Sequence, residues 1–209
     1  MATEWFDLAL DLVQRTPGFS PPVASRALGY CGVTLYEALV PGMPAHRSLA
    51  GQLNDLDSAP APSDPAYHWP TVANAALASI LRSLFATAST ESKAAMDSLE
   101  ARLTDRRRTA VAPGILRRSV ARGRDVADHI FQWSRADRGH EAYLNNFPPY
   151  TPPVGPGLWV PTPPGFLPAL QPYWGSNRPF ALASGGACNP GPPLPYSEDR
   201  SSAFYREAA

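Results

Sequence analysis

Proline is the feature that most limits what this chain can fold into, because most of its 25 prolines follow Phe147. Proline lacks a backbone N–H and clashes inside a helix, so a dense run of prolines excludes long helices and central strands. The sequence therefore divides into residues 1–147, rich in Ala, Leu and Arg, and residues 148–209, rich in Pro, Gly and Trp. We predict a helical domain followed by an extended segment, which ends in the start of a short helix.

The central helix of the first part is predicted from Ser20 to Gly42, where both ends carry signals. Ser20 can cap the helix, the two prolines after it suit a first turn, and a Pro-Gly pair stops it. Apolar residues recur at helical spacing, so the helix should be buried. Arg26 and Glu37 lie within this apolar pattern, and each needs a partner if buried, since an unpaired buried charge is very costly.

Four further long helices are predicted near residues 3–14, 70–85, 90–108 and 113–133 from the period of their apolar residues. Gly29 and Gly32 on the central helix leave room for a close neighbour, and we expect the small residues of the helix at 70–85 to pack there. Gly123, within the helix at 113–133, indicates a point where this helix crosses another helix closely.

The aromatic residues of the second part indicate that it is not a free linker, because exposed large aromatics bring an aggregation risk without packing. These residues are Trp159, Phe166, Tyr173, Trp174 and Phe180. The predicted fold class is therefore all-α, a helical bundle of about five to six helices with a long Pro/Gly-rich extended C-terminal segment packed across it.

Two stretches resemble a known family. PPVASRAL at 21–28, followed by LYEA at 35–38, is similar to the early core helix of bacterial vanadium-dependent haloperoxidase-like proteins, relatives of the type 2 phosphatidic acid phosphatases. GLWVPTPPGF at 157–166, with the PYWG and RPF that follow, is similar to the Pro- and Trp-rich connection before their catalytic half. The resemblance spans nearly the whole chain and implies the N-terminal half of such a protein.

The catalytic motifs of that family are not found in this sequence. The family surrounds its oxyanion with a Lys and an Arg-Pro, a Ser-Gly-His, and a later Arg and His. The one lysine, Lys93, has no Arg-Pro at the family's spacing, and no Ser-Gly-His occurs. Arg178-Pro179 lacks the preceding lysine, and Arg135 to His140 is one residue too short for the last motif. We predict no catalytic, cofactor-binding or metal-binding residues here, and vanadate only in a full-length relative.

The other polar residues support little chemistry. Asp125 and His129 are one helical turn apart and could form half a metal site, but a third ligand at a sensible spacing is missing. His68 precedes the helix at 70–85, where capping or packing suits it, and His46 lies in a turn-like stretch. Ser25 and Ser184 do not lie in a Gly-x-Ser-x-Gly motif, so the sequence gives no support for a serine nucleophile.

Charge and hydropathy give no reason to expect a nucleic acid or a membrane as partner. The 18 lysine and arginine residues balance the 18 aspartate and glutamate residues, so the formal net charge is zero. The arginine-rich run from Arg102 to Arg124 lacks interleaved aromatics, so we expect a solvated helical face. No apolar run approaches the roughly 20 residues of a membrane span, and the N-terminus lacks the basic residues of a signal peptide, so a cytoplasmic location is the default expectation. Cys31 and Cys188 form no disulfide pattern, which leaves the redox compartment open.

Two hypotheses follow. The first is the helical N-terminal scaffold portion of a vanadium-dependent haloperoxidase-like or acid phosphatase-like protein, truncated before its catalytic half and inactive alone. Its expected partners are that missing half or a second copy of the chain. The complete protein could catalyse either halide oxidation or phosphate-ester hydrolysis, and the sequence does not choose between these reactions. The alternative is a self-contained interaction module that presents the PxxP at 153–156 to an aromatic groove.

Overall fold

The structure, a computed structural model, describes residues 1–63 and 66–209, and helices are its only regular secondary structure over those ranges. Six α-helices lie within them: α1 (Ala2–Arg15), α2 (Pro21–Leu39), α3 (Trp69–Leu84), α4 (Thr90–Arg108), α5 (Pro113–Arg135) and α6 (Ala203–Ala208). The all-α prediction is therefore confirmed. None of the described helices has the combination of length and apolar character that crossing a membrane requires.

The central helix α2 lies where the sequence predicts it, and both of its charged residues have partners. Prolines occupy its first turn, and a short 3₁₀ turn, Val40–Gly42, follows its end. Arg26 forms an ion pair with Asp137. Glu37, which is 3% exposed, accepts hydrogen bonds from the Ser48 hydroxyl at 2.8 Å and the Leu49 backbone N–H at 2.6 Å. Burial of each charge is thus compensated as expected.

The most extensive helix contact joins α3 to α5. A Cβ atom on Gly123 would lie 2.4 Å from the backbone oxygen of Val72, so only a glycine allows the two helices to come this close. The predicted crossing at Gly123 is confirmed. The expectation that α3 packs on the glycines of α2 is wrong, because nothing lies within 4 Å of a Cβ on Gly32, and Gly29 faces the ring of Phe180.

Helix α1 is fixed to the bundle by a fully buried tryptophan. The indole N–H of Trp5 donates to the side-chain oxygen of Asn74 on α3 at 2.8 Å. The amide of Asn74 donates in turn to the backbone oxygen of Glu100 and to the Thr104 hydroxyl on α4, at 3.3 and 3.2 Å. One buried amide therefore joins three helices and satisfies the polar atom of the tryptophan.

The arginine-rich run is not a uniformly solvated face. Arg102 and Arg106 do point outward, where both pair with Glu4. Arg122 is only 5% exposed and donates to the backbone oxygen of Pro60. The prediction of a solvated face is therefore wrong for Arg122, because the loop before α3 folds back over this side of α5 and supplies a carbonyl for the guanidinium.

Three sets of hydrogen bonds tie the C-terminal segment to the helical part. The first links Gln171 to Asn146, and the second links Asn54 to the backbone around Phe180. The third joins Arg178 to Arg26, Trp133 and Asp137. Between and beyond these points most of the residues are exposed, including Trp159 and Phe166.

Candidate functional site

A buried polar cluster lies where α2, the end of α5 and the C-terminal segment meet. We call it the Asp137 cluster, and its members are Arg26, Tyr30, Asp137, Arg178 and Phe180. The carboxylate of Asp137 is fully buried. It accepts hydrogen bonds from Arg26 Nη2 at 2.6 Å, from Arg26 Nε at 3.2 Å and from the Tyr30 hydroxyl. One carboxylate therefore compensates a guanidinium that is itself 11% exposed.

Local sequence places Asp137 at this point. Helix α5 ends at Arg135, and the second carboxylate oxygen of Asp137 accepts the backbone N–H groups of Gly139 at 2.8 Å and His140 at 3.1 Å. An aspartate that bonds to N–H groups two or three residues ahead stabilises a turn. A Cβ on Gly139 would lie 2.4 Å from Arg26 Nε, so the glycine makes room for the guanidinium.

Arg178 brings the C-terminal segment into the cluster. Its backbone N–H donates to the Asp137 carbonyl at 3.0 Å, and its own carbonyl accepts from Arg26 Nη2 at 2.7 Å. Its guanidinium donates to the Trp133 carbonyl at 2.8 Å and to Asp55 at 3.1 Å. The same guanidinium lies 5.0 Å from the centre of the Trp133 ring, a favourable cation–π distance.

Phe180 fills the notch that Gly29 leaves on α2. A Cβ on Gly29 would lie 2.8 Å from the Phe180 ring, so the phenyl group occupies the space of the missing side chain. The Phe180 ring also lies 5.4 Å from Tyr30 and 5.1 Å from Trp133, and the Arg26 guanidinium is 4.9 Å from its centre. The segment is thus held by one aromatic anchor and by backbone hydrogen bonds.

Electrostatics fix the protonation of the cluster's tyrosine. Burial, together with the hydrogen bond to the Asp137 carboxylate and its negative charge, raises the pKa of Tyr30 far above its ordinary value. Tyr30 therefore stays protonated and serves as a hydrogen-bond donor. Because the terminal nitrogens of both guanidinium groups donate to carboxylates or carbonyl groups of other elements, the cluster joins these elements.

Comparison with known proteins shows which solved structure this chain resembles. Neither a protein-family model nor a curated protein matches the sequence. Among solved structures, the crystal structure of the first bacterial vanadium-dependent iodoperoxidase matches with a TM-score of 0.78 and 34% sequence identity. The match covers 98% of this chain and 48% of that chain. The chain is thus similar, in sequence and in fold, to a vanadium-dependent haloperoxidase. The resemblance predicted from the sequence is confirmed, and the chain spans about half the length of the iodoperoxidase.

The Asp137 cluster of this haloperoxidase-like chain does not fit vanadate. A vanadate site needs cationic groups whose donors point at an open position and a histidine that bonds the metal. Arg26 instead donates to Asp137 and to a carbonyl, and Arg178 donates to a carbonyl and to Asp55. A second anion beside Asp137 would meet a negative charge, so we assign no oxyanion chemistry to the cluster.

His129 and His68 lie apart, and each has its own hydrogen-bonding partner. His129 Nε2 lies 2.9 Å from the backbone oxygen of Asp57. His68 occupies the N-cap position of α3 with no side-chain cap, and its Nδ1 lies 2.8 Å from the Thr71 hydroxyl. Burial lowers the pKa of His68, and nearby Arg107 adds to this effect. These contacts are structural and bring no second histidine near.

His140 is the histidine that comes nearest to the Asp137 cluster. Its Nδ1 lies 3.0 Å from the Ser134 hydroxyl, and its ring meets Phe131 edge-on at 4.9 Å. It borders a cavity of about 20 Å³, the size of a single water molecule, next to Tyr30. Burial lowers the pKa of His140, which favours the neutral imidazole.

The remaining sequence candidates lie on the surface. Lys93, His46, Ser25 and Ser184 are exposed, as is Asp125. Cys31 is buried, which raises the pKa of its thiol to about 12, and Cys188 is exposed. Within residues 1–63 and 66–209, no group of three His, Cys, Asp or Glu side chains could hold a metal ion. That this chain holds no catalytic, cofactor-binding or metal-binding residue stays a prediction.

Sequence reasoning missed Asp137 and Tyr30. Asp137 pairs with a residue 111 positions away, and no local pattern reports such a pairing. The one available signal is the order Asp-Arg-Gly-His after a long helix, in which an aspartate two residues before a glycine is typical of a turn.

Proposed function

We propose that this chain is the helical N-terminal scaffold portion of a vanadium-dependent haloperoxidase-like or acid phosphatase-like protein, whose catalytic residues lie outside these 209 residues. One observation carries the proposal: nearly all of this chain matches only about half of the iodoperoxidase. The sequence adds support, because the family's Lys with Arg-Pro and its Ser-Gly-His do not occur in it.

In this proposal residues 1–147 form the helical domain, and residues 148–209 form an extended segment that lies across it. The Asp137 cluster supports this division, since it joins α2 and the end of α5 to Arg178 of the segment. The scaffold would bury the back of the catalytic helices and hold the segment in a fixed place. Vanadate would bind in the catalytic half, and halide oxidation and phosphate-ester hydrolysis remain alternative reactions of the complete protein.

Activity assays on the purified chain test the proposal. We expect no turnover with vanadate, peroxide and iodide or bromide, and none with a chromogenic phosphate ester. Loss of even one preorganised oxyanion donor typically costs about a hundred- to a thousandfold in rate, and the family's set is not present here. Vanadate-dependent turnover by this chain alone would contradict the proposal.

The reading frame beyond Ala209 provides an independent test. We expect it to encode a Lys with an Arg-Pro, then a Ser-Gly-His, and then a late Arg and His. A continuation without these motifs, or a stop codon at this point with no partner gene that encodes them, would count against the scaffold role.

The alternative function, a module that presents its PxxP to a partner, has one observation in its favour. Val154, inside the PxxP, is 96% exposed. Against it, the N–H of Leu158 bonds to the carbonyl of Gly155 at 3.2 Å, so a turn interrupts the extended backbone that such ligands need. Rapid proteolysis between residues 148 and 195 with an intact helical part would favour the module over the scaffold.

A further inference from the structure

The C-terminal segment carries an apolar hollow that the proposed scaffold role does not use. We call it the Trp159 hollow; it has a volume of about 540 Å³. Its walls are formed by Tyr150, Pro152, Pro153, Leu158, Trp159 and Leu170, with Ala169 and Pro172 beside them, and none of these eight residues is charged. The hollow is therefore suited to an apolar occupant.

The hollow is held in place by hydrogen bonds to the helical part. The Gln171 side-chain amide donates to the carbonyls of Ala142 and Asn145 and to the side-chain oxygen of Asn146. Asn146 donates to the Gly18 carbonyl at 2.7 Å, in the turn between α1 and α2. On one wall Tyr150 meets Tyr173 edge-on at 5.8 Å. A surface fixed in this way loses little conformational entropy when it binds.

Its exposed apolar side chains carry a cost in water. Trp159 is 49% exposed, Leu158 44% and Leu170 42%, and the neighbouring Val160 is 62% exposed. Contiguous apolar surface of this kind on a folded chain marks an interaction site. An aromatic residue at the centre of such a surface is also the type of residue that dominates binding energy in interfaces.

We propose that the Trp159 hollow binds an apolar surface from the complementary half of the haloperoxidase-like protein; this inference rests on the proposed function. The iodoperoxidase matches 98% of this chain, but the match covers only 48% of the iodoperoxidase, so about half of that protein lies outside the match. The matched region includes the hollow. A protein of the iodoperoxidase's length therefore has a second half that could cover it. The absence of charge in its lining favours this permanent, apolar contact over a transient polar partner.

Hydroxyl-radical labelling with mass spectrometry tests the inference on two proteins, the 209-residue chain and the natural polypeptide that continues through its reading frame. In the short chain, labelling of Trp159 should be far above that of Trp5, which is fully buried. In the longer protein it should fall to the level of Trp5. Leu10 on α1, which is 51% exposed, is the control and should be labelled equally in both proteins.

A set of matched variants tests the same point through stability. Trp159→Ser and Leu170→Ser should lower the melting temperature of the longer protein but not of the short chain, in which both side chains are exposed. Leu10→Ser should be neutral in both proteins. Equal labelling of Trp159 in both proteins, or neutral hollow variants in the longer one, would overturn the inference and leave the proposed function intact.

Other outcomes separate the two proposals. A continuation that lacks the family's catalytic motifs overturns the proposed function, and the inference falls with it. If the short chain sediments as a dimer in which Trp159 is already protected, and Trp159→Ser restores the monomer, the occupant is a second copy and the inference is wrong.

Discussion

The helical part and the C-terminal segment of this chain hold their shape in different ways. Of the large apolar side chains exposed within the described residues, three lie in residues 1–147 (Leu10, Leu144 and Phe147), whereas twelve lie in residues 148–209. The helical part is ordered by burial around residues such as Trp5 and Phe85. The segment is ordered by a few hydrogen bonds and one anchored ring, while most of its apolar groups face water.

This difference shows that a segment can be positioned without having a core of its own. Backbone and side-chain hydrogen bonds contribute only about 0.5–1.5 kcal/mol each, so several must act together to fix an extended chain. The segment concentrates them at Gln171 and around Arg178.

Asp137→Ala should have the largest effect, because it leaves the buried Arg26 without its carboxylate. Breaking a buried ion pair by removing one partner typically costs about 3–5 kcal/mol, and we expect the free energy of unfolding to fall by this amount in urea titrations. Asp97→Ala is the control, since its pair with Arg82 is exposed and should contribute about 1 kcal/mol or less. Equal effects of the two substitutions would show that the cluster does not anchor the fold.

Gly123→Ala should destabilise the helical part by about 1–3 kcal/mol, because the new methyl group would overlap the backbone of α3. Gly32→Ala on α2 is the matched control. Nothing lies within 4 Å of its added methyl group, so the higher helix propensity of alanine should stabilise the chain by about 0.5–1 kcal/mol. Thermal unfolding of both variants measures this difference, and a stabilising Gly123→Ala would contradict the close crossing.

Phe180→Ala should release the segment while leaving the helical part folded. Loss of a partly buried ring should lower the free energy of unfolding by about 1–2 kcal/mol. Limited proteolysis should cut residues 148–195 faster than in the unmodified chain. Phe166→Ala serves as the control, since that ring is 61% exposed and its removal should alter neither the stability nor the cleavage rate. An unchanged cleavage pattern for Phe180→Ala would mean that the hydrogen bonds alone hold the segment.

His140 should give the smallest effect, a pH dependence. Burial lowers the pKa of His140 in the folded chain below its ordinary value of 6.5, so the unfolded chain binds a proton more readily. The stability it contributes is fully present above pH 6.5 and is lost progressively as the pH falls from that value through the lower pKa of the folded chain. His140→Gln should therefore lessen the decline in stability between pH 7 and 5. His46→Gln, at an exposed site, should leave the decline unchanged.

The helices could be predicted because their signals are local. Periodic apolar residues placed α1 to α5. Ser89 caps α4, with its hydroxyl oxygen accepting the Ser92 N–H at 3.1 Å. Proline in the first turns of α2, α3 and α5 marked where those helices begin. Such signals depend on residues within one or two turns of each other, so one sequence is sufficient to read them.

The partners of the buried charges could not be predicted, because they depend on how distant elements meet. The sequence showed that Arg26 needs a partner, but Asp137 is no different in local pattern from exposed aspartates. Arg122 was placed on a solvated face because its neighbours are arginines, yet its carbonyl partner belongs to a loop 62 positions earlier. The expectation that α3 packs on the glycines of α2 failed for the same reason, since Phe180 fills the notch at Gly29.

The distance along the chain between Arg26 and its partner also imposes an order of events on synthesis. At about 5–20 residues per second, the 111 positions to Asp137 take roughly 5 to 22 seconds to translate. During this interval α2 leaves the ribosome with a guanidinium that has no carboxylate, and the helices around it cannot close without burying a bare charge. We therefore expect the nascent bundle to keep this end open until the turn after α5 emerges. Closure of the core becomes a late step, and the segment is recruited only after Arg178, which is translated after Asp137, has emerged as well.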